Sequence, residues 1–208
     1  MELQYFGANC IRVATKRAVI VIDDNLDKVG LKSITKPTDI SLRTSLTLPE
    51  HSQTKFSTDI PGEYEIAGAV IHGIAARGHM DEQAKKTAVI YTIEADDVRL
   101  AVVGHIYPEL SESQLEQIGI VDVLILPVGG NGYTLDGTGA LQIIKQLEPK
   151  LVIPTHFADK QIKYDVPQQE LAEALKNMSM EPTERLPKLK LKPAELTDTT
   201  RLIVLERQ

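Results

Sequence analysis

The sequence predicts an α+β fold, an αββα sandwich in which two mixed β-sheets pack face to face with helices outside. Three observations predict it. The first hundred residues read as short β-branched runs separated by turn residues. The second half alternates apolar runs with amphipathic stretches of helical period. No glycine-rich phosphate loop of either standard spacing occurs, which makes a dinucleotide-binding fold a poor competitor.

Taken in order, MELQYFG, CIRVATK and AVIVIDD are strands broken by Gly7-Ala8-Asn9 and by Lys16-Arg17. A polar stretch follows, then GEYEIAG and AVIHGIAA, joined tightly at Gly68. AVIYTIEA and VRLAVVG form a hairpin across Asp96-Asp97, a pair suited to a two-residue turn. SESQLEQIG predicts a short helix over 111–118, capped by Ser111 with Gln114 as its capping-box partner and ended by Gly119. VDVLILPV is an almost unbroken apolar run, as a strand buried on both faces requires. GALQIIKQLEP places Ala140, Ile143, Ile144 and Leu147 on one face of a helix over 139–148, and Pro149 stops it. LVIPTHF is another buried strand. PQQELAEALKNM predicts a helix over 167–178 with Pro167 in its first turn. KLKLK, Lys188 to Lys192, alternates charge and leucine as an edge strand does, and RLIVLER is the last strand.

The 208 residues fit one domain, 1–208, with 42% hydrophobic residues to fill a core and 25% charged residues to solvate it. A net charge of -6 opposes binding to a phosphate backbone, and the absence of tryptophan opposes a base-stacking platform, so both observations count against nucleic acid as a partner. No apolar run approaches the ~20 residues of a membrane helix. The N-terminus carries charge and glycine where a signal peptide has an apolar core, which points to a cytoplasmic protein. The single cysteine, Cys10, excludes an internal disulfide and a cysteine-rich zinc knuckle, and reads as a small buried apolar residue.

Ligands of α/β sheets gather beyond the carboxyl ends of strands. Three of the five histidines fall there: His79 after AVIHGIAA, His105 after VRLAVVG and His156 after LVIPT. Three imidazoles and a water make an open catalytic zinc site. The alternative is that each imidazole simply hydrogen-bonds a loop backbone. Asp136 stands at a helix start, where it caps Gly139 or serves as ligand or general base. Asn131 and the neighbouring glycine amides could hold an anion. Glu63 and Glu65 share one strand face and could do acid–base work, though a solvated face explains them better. His72 reads as a surface or packing residue, and Asp23-Asp24 as a turn or a partner orienting a site histidine.

The order GANC, a strand ending in Asp23-Asp24, His79 after the central hairpin, VVGH, VDVLILPVGGNGYTLD, an amphipathic helix and LVIPTHF resembles the metallo-β-lactamase superfamily. The resemblance covers nearly the whole chain, is most specific from Val121 to Phe157, and is closest to the branch of ascorbate-6-phosphate lactonase-like hydrolases. It implies metal ligands at His156 and His79, and places His105 where the family usually has a bridging aspartate. The family's signature His-x-His-x-Asp-His matches the stretch DISLRTSLTLPEH, Asp39 to His51, in which only His51 remains, beside Glu50.

Two functions follow. One is a hydrolase of a small ester, lactone or phosphorylated metabolite, with at most one zinc or other divalent metal on His79, His105 and His156, and with Asp136 or His51 assisting. The other is a non-catalytic binding or assembly module that keeps the fold. Both take a small-molecule substrate or ligand without a membrane, and both leave a homo-oligomer open.

Overall fold

The computed structural model describes all residues, 1–208. Strands β1 (Glu2–Gly7), β2 (Cys10–Ala14), β3 (Val19–Ile22), β4 (Ile40–Leu42) and β5 (Phe56–Thr58) come first, with a 3-10 turn at Leu26–Val29. Next are β6 (Gly62–Ile66), β7 (Ala69–Ala76), β8 (Ala88–Ala95) and β9 (Val98–Val102). The chain then alternates α1 (Glu112–Ile118), β10 (Val123–Pro127), α2 (Gly137–Leu147), β11 (Leu151–Thr155) and α3 (Leu171–Met178). It closes with β12 (Glu184–Leu186), β13 (Leu189–Lys190) and β14 (Arg201–Leu205).

Two mixed sheets result. The six-stranded sheet runs β13-β1-β2-β3-β4-β5 and the eight-stranded sheet β12-β14-β11-β10-β9-β8-β7-β6. β6 to β9 pair antiparallel, as hairpins do. β9, β10, β11, β14 and β12 pair parallel, with helices α1 to α3 placed in the crossovers. The turn joining β8 to β9 puts Asp96 and Asp97 at φ 54° and 61°, the left-handed pair that matches strand twist.

The continuous apolar runs are explained by a core on each side of the larger sheet. On β10, Val123 and Ile125 face the six-stranded sheet, while Leu124 and Leu126 face the helices. On β11, Leu151 and Ile153 take the first side and Val152 the second. Ile125 is fully buried in the inter-sheet core. Ile125→Val therefore removes one methyl group from a close-packed layer, at a cost of about 1 kcal/mol. The urea midpoint should fall with an unchanged slope; an unaltered midpoint would count against that packing.

Several elements differ from expectation. The α-helical layer covers the eight-stranded sheet alone; over the other sheet lies a small cluster of Cys10, Val21 and Leu26, the last from the 3-10 turn. α1 has its capping box on Ser111 and Gln114, as expected. α2 begins two residues early, at Gly137, with Asp136 as its N-cap. α3 begins at Leu171 instead of 167, because residues 167–170 are bound elsewhere: the Gln169 N–H donates to Gly129 O at 2.7 Å, and the Asn131 amide donates to Pro167 O. β4, β5 and β12 were not expected. Each is three residues long, too short for a two-residue period to emerge. KLKLK contributes β13, an edge strand paired with β1.

Candidate functional site

Three strand ends bring the histidines together. β9 leads through Val103 and Gly104 to His105, β11 leads directly into His156, and His79 follows β7. All three line one cleft of about 510 Å³, together with Tyr133, Tyr164 and Gln168. The His105 and His156 rings meet edge to face, 4.6 Å between centroids. The His79 N–H donates to His105 O at 2.7 Å, tying the two loops together. His156 holds φ at 52°, a left-handed backbone uncommon for a residue with a Cβ, and its own N–H donates to Ala8 O at 2.7 Å. That N–H···O bond fixes the strand end against the β1–β2 turn.

Hydrogen bonds fix two ring orientations. His79 Nδ1 lies 3.1 Å from Ile106 O, and a carbonyl oxygen only accepts, so Nδ1 carries the hydrogen. His156 Nδ1 lies 3.1 Å from Gln168 Oε1. The Gln168 amide NH2 donates to Val166 O at 2.9 Å, which orients its oxygen toward His156, and Nδ1 again carries the hydrogen. With Nδ1 so committed in His79 and His156, Nε2 has no protein partner in either ring, and in the Nδ1–H tautomer it is a lone-pair acceptor. Neither ring nitrogen of His105 has a protein partner. Burial, and then the neighbouring His156 and His79, push the pKa of His105 down to about 3. Burial also lowers that of His156 to about 4, against the raising effect of its bond to Gln168. Both rings are neutral at pH 7.

Beneath the cleft runs a hydrogen-bonded chain that the sequence reading missed, apart from a supporting role considered for Asp23. The Thr155 hydroxyl donates to Asn9 Oδ1, and the Asn9 amide donates to Asp23 Oδ2 at 2.6 Å. Asp23 also accepts from the Thr44 N–H at 2.7 Å and the Thr44 hydroxyl at 2.6 Å. All four residues are buried. Burial raises the Asp23 pKa to about 6, opposed by the bonds from Thr44 and Asn9. The carboxylate is spent on holding two sheets together and is not offered to the cleft. Nothing local in the sequence points to these bonds of Thr44 and Asn9, since their partners lie far off in the chain.

The stretch from Asp39 to His51 passes along this cleft. β4 delivers Thr44 to Asp23, and the next residues, Ser45 to Leu48, line the cleft wall. They are stitched to β8 and the residue before it by the Val89 N–H to Thr44 O and the Leu46 N–H to Thr87 O. The wall thus presents serine, leucine, threonine and leucine side chains, with no histidine or carboxylate among them. Asp81, another residue of the lining, already accepts from the Gly78 and Thr87 N–H groups. No group of three or more histidine, cysteine, aspartate or glutamate side chains is disposed to hold a metal ion. The donor set fits neither a two-metal centre nor the three protein ligands of a catalytic zinc. The three histidines share a cleft, as expected, without forming a ligand set.

Two expected assistants lie elsewhere. His51 belongs to a separate polar cleft of about 330 Å³ with Thr35, Lys36 and Glu50, and its Nε2 is 2.8 Å from Asp24 O. The loop after Leu48 places it outside the cleft of the three histidines, where it was expected to assist. Asp136 takes the capping role considered for it. Its Oδ1 accepts from Gly139 N–H at 2.7 Å, and it lines a shallow pocket with Gly130, Asn131 and Gly132, shared with the large cleft only through His79. In the glycine turn, part of the donor set considered for an anion is already in use. Gly130 N–H donates to Leu135 O, Tyr133 N–H to Gly130 O, and the Asn131 amide to Pro167 O. Glu63 and Glu65 are exposed on edge strand β6, and His72 sits on β7 between Glu63 and Thr92, away from the cleft. Asp24 accepts from Ser33, Ile34 and Thr35, a loop-holding role.

Comparison with known proteins agrees with this architecture. Residues 2–156 match the family described as the beta-lactamase superfamily domain. A Thermotoga maritima protein designated a Zn-dependent hydrolase of the metallo-beta-lactamase superfamily is 24% identical, with a TM-score of 0.75 over 99% of both chains. A Parabacteroides distasonis protein designated a metal-dependent hydrolase is 16% identical, with a TM-score of 0.62 over 99% of this chain and 93% of that one. The metallo-beta-lactamase fold protein YhfI of Bacillus subtilis is 8% identical, with a TM-score of 0.58 over 99% and 96%. With its two packed mixed sheets and a family match spanning most of its length, the chain belongs to the metallo-β-lactamase superfamily.

Proposed function

We propose that this chain uses the metallo-β-lactamase fold to bind a small molecule in the three-histidine cleft, with at most one divalent metal ion per chain and without two-metal hydrolysis. One observation carries the reading: the loop that should deliver the metal-binding motif delivers Ser45, Leu46, Thr47 and Leu48 to the cleft. Two dications held close together need a bridging carboxylate to offset their repulsion, and a neutral imidazole at His105 cannot do so. The esters, lactones and phosphorylated metabolites implied by the resemblance to lactonase-like hydrolases become candidate ligands. The zinc and metal dependence of the structural relatives belongs to those proteins, and it would need ligands that this cleft lacks.

A one-metal hydrolase is the second reading. It is favoured by the Nε2 lone pairs of His79 and His156, because metal-binding imidazoles commonly hold their other N–H on a carbonyl or similar oxygen. Elemental analysis of untagged protein, zinc titration, and lactonase, β-lactamase and phosphodiesterase assays decide between them. We expect at most one metal per chain and rates at background. Two tightly bound metals per chain, with hydrolysis lost in His105→Ala, would overturn the proposal. One tight zinc with hydrolysis lost in His156→Ala would establish the second reading.

A further inference from the structure

Six large apolar residues stand exposed on this molecule: Leu46, Ile60, Val70, Met80, Ile120 and Tyr133. Leu46, Met80 and Tyr133 belong to the lining of the histidine cleft. Soluble proteins rarely gather exposed apolar side chains around one opening without a ligand or partner to cover them. Below the rim, Val29, Leu48 and Val166 continue the apolar wall. The volume of about 510 Å³ lies within the ~300–1,000 Å³ usual for small-molecule sites. An apolar wall with a few convergent polar atoms describes an amphipathic ligand, and the polar atoms define its head.

Those atoms are hydrogen-bond acceptors. His79 and His156 have their Nδ1 hydrogens committed to Ile106 O and Gln168 Oε1. Their Nε2 lone pairs have no donor within the protein, and neither atom is sealed from solvent. His105, whose ring meets that of His156 edge to face, has no protein partner at either ring nitrogen. The lining holds Asp81 and Asp165 and a single cationic side chain, Lys85. A carboxylate or phosphate head would set its oxygen lone pairs against imidazole lone pairs, at a cost comparable to leaving a polar group unpaired. A hydroxyl or amine head would donate to them instead.

We infer that the cleft recognises a small amphipathic molecule by a hydroxyl or amine head that donates to Nε2 of His79 or of His156, with its hydrocarbon part against Leu46, Leu48 and Met80. The inference rests on the small-molecule reading above and narrows it away from phosphorylated ligands. Gln168 is the positioning residue: by accepting from Nδ1 of His156, it keeps the acceptor on the cleft side of that ring.

Three probes of equal chain length test this on the full-length protein treated with chelator: 1-hexanol, hexylamine and hexanoate. Long-range 1H–15N spectra of histidine-labelled protein read the tautomers, and titrations followed in the same spectra read affinity. The expected result is Nδ1-protonated rings at His79 and His156, and at least tenfold tighter binding of hexanol or hexylamine than of hexanoate, with the shifts centred on Nε2 of His79 or of His156. Hexanoate binding as tightly as the others, or Nε2-protonated rings, would overturn the inference while leaving a small-molecule cleft in place. Failure of all three probes to bind would overturn both readings. In Gln168→Ala, with an unchanged amide spectrum elsewhere, His156 should lose its single tautomer, His79 should keep its own, and the preference for the donor head should fall severalfold. An unchanged preference would remove Gln168 from the recognition.

Discussion

Acidification from pH 6.5 to pH 4 is expected to cost the metal-free protein about 4 kcal/mol of stability, a large share of the ~5–15 kcal/mol typical of a folded domain. The cause is the cleft histidines. Burial lowers His105 to about 3 and His156 to about 4, from 6.5 in the unfolded chain. A histidine with a depressed folded pKa contributes stability that is complete above pH 6.5 and is lost as pH falls toward the folded value. Each covers about 2.5 units of that window, and at 1.36 kcal/mol per unit the two lose about 7 kcal/mol. Asp23 works in the opposite sense. Its folded pKa, raised to about 6 from 3.8, makes its contribution complete below pH 3.8 and lost as pH rises through 6, so acidification returns about 3 kcal/mol. The histidines win because two groups shift against one. Hydrogen bonds from Thr35 and Ser33 overcome burial and depress the Asp24 pKa, which adds a further loss below pH 4. Urea midpoints measured across this range should fall steadily, and His156→Gln should flatten the slope. A stability that is level or rising toward pH 4 would contradict neutral, buried imidazoles.

Gly104→Ala should destabilise the protein by about 3–5 kcal/mol, although its backbone needs no left-handed conformation. A Cβ at position 104 would stand 2.5 Å from Thr44 Cβ and closer still to the Thr44 hydroxyl. Thr44 has nowhere to retreat, since its N–H and hydroxyl both hold Asp23. Relief of the collision would pull the hydroxyl from a buried carboxylate, which adds a lost charge-assisted bond of about 1.5–3 kcal/mol to an overpacking cost of about 1–3 kcal/mol. Thr44→Gly alone should lose the bond and leave a void. Combined with Gly104→Ala, it should cost clearly less than the sum of the two single changes, because the void accommodates the new methyl group. Additive values in a urea-unfolding cycle, or a Gly104→Ala cost below 1 kcal/mol, would show that Thr44 is not pressed against Gly104. His105 follows Gly104 directly, so the same variant should also shift its imidazole resonances.

The sequence by itself determined the layers of this protein. The apolar runs VDVLILPV and LVIPT, buried on both faces, place β10 and β11 at the centre of a sheet, and Asp96-Asp97 sets a hairpin through its own backbone preference. Ser111 with Gln114 and Asp136 with Gly139 cap helices within four residues, so those ends were legible too. These signals are local, or periodic along a single element. The placement of three histidines just beyond strand ends was likewise legible, because strand ends of one sheet share an edge. Tertiary structure alone decided the rest. Whether His51 or Asp136 joined that edge depended on the path of a loop and on a cap. The late start of α3 depended on Gln169 and Gly129, 40 positions apart in the chain. The ring orientations of His79 and His156 depend on Ile106 and Gln168, and the supporting chain of Thr155, Asn9, Asp23 and Thr44 draws on four separate segments. A hydrogen bond between distant residues leaves no period and no local preference in the sequence, so the chemistry of this cleft became readable only when the two sheets met.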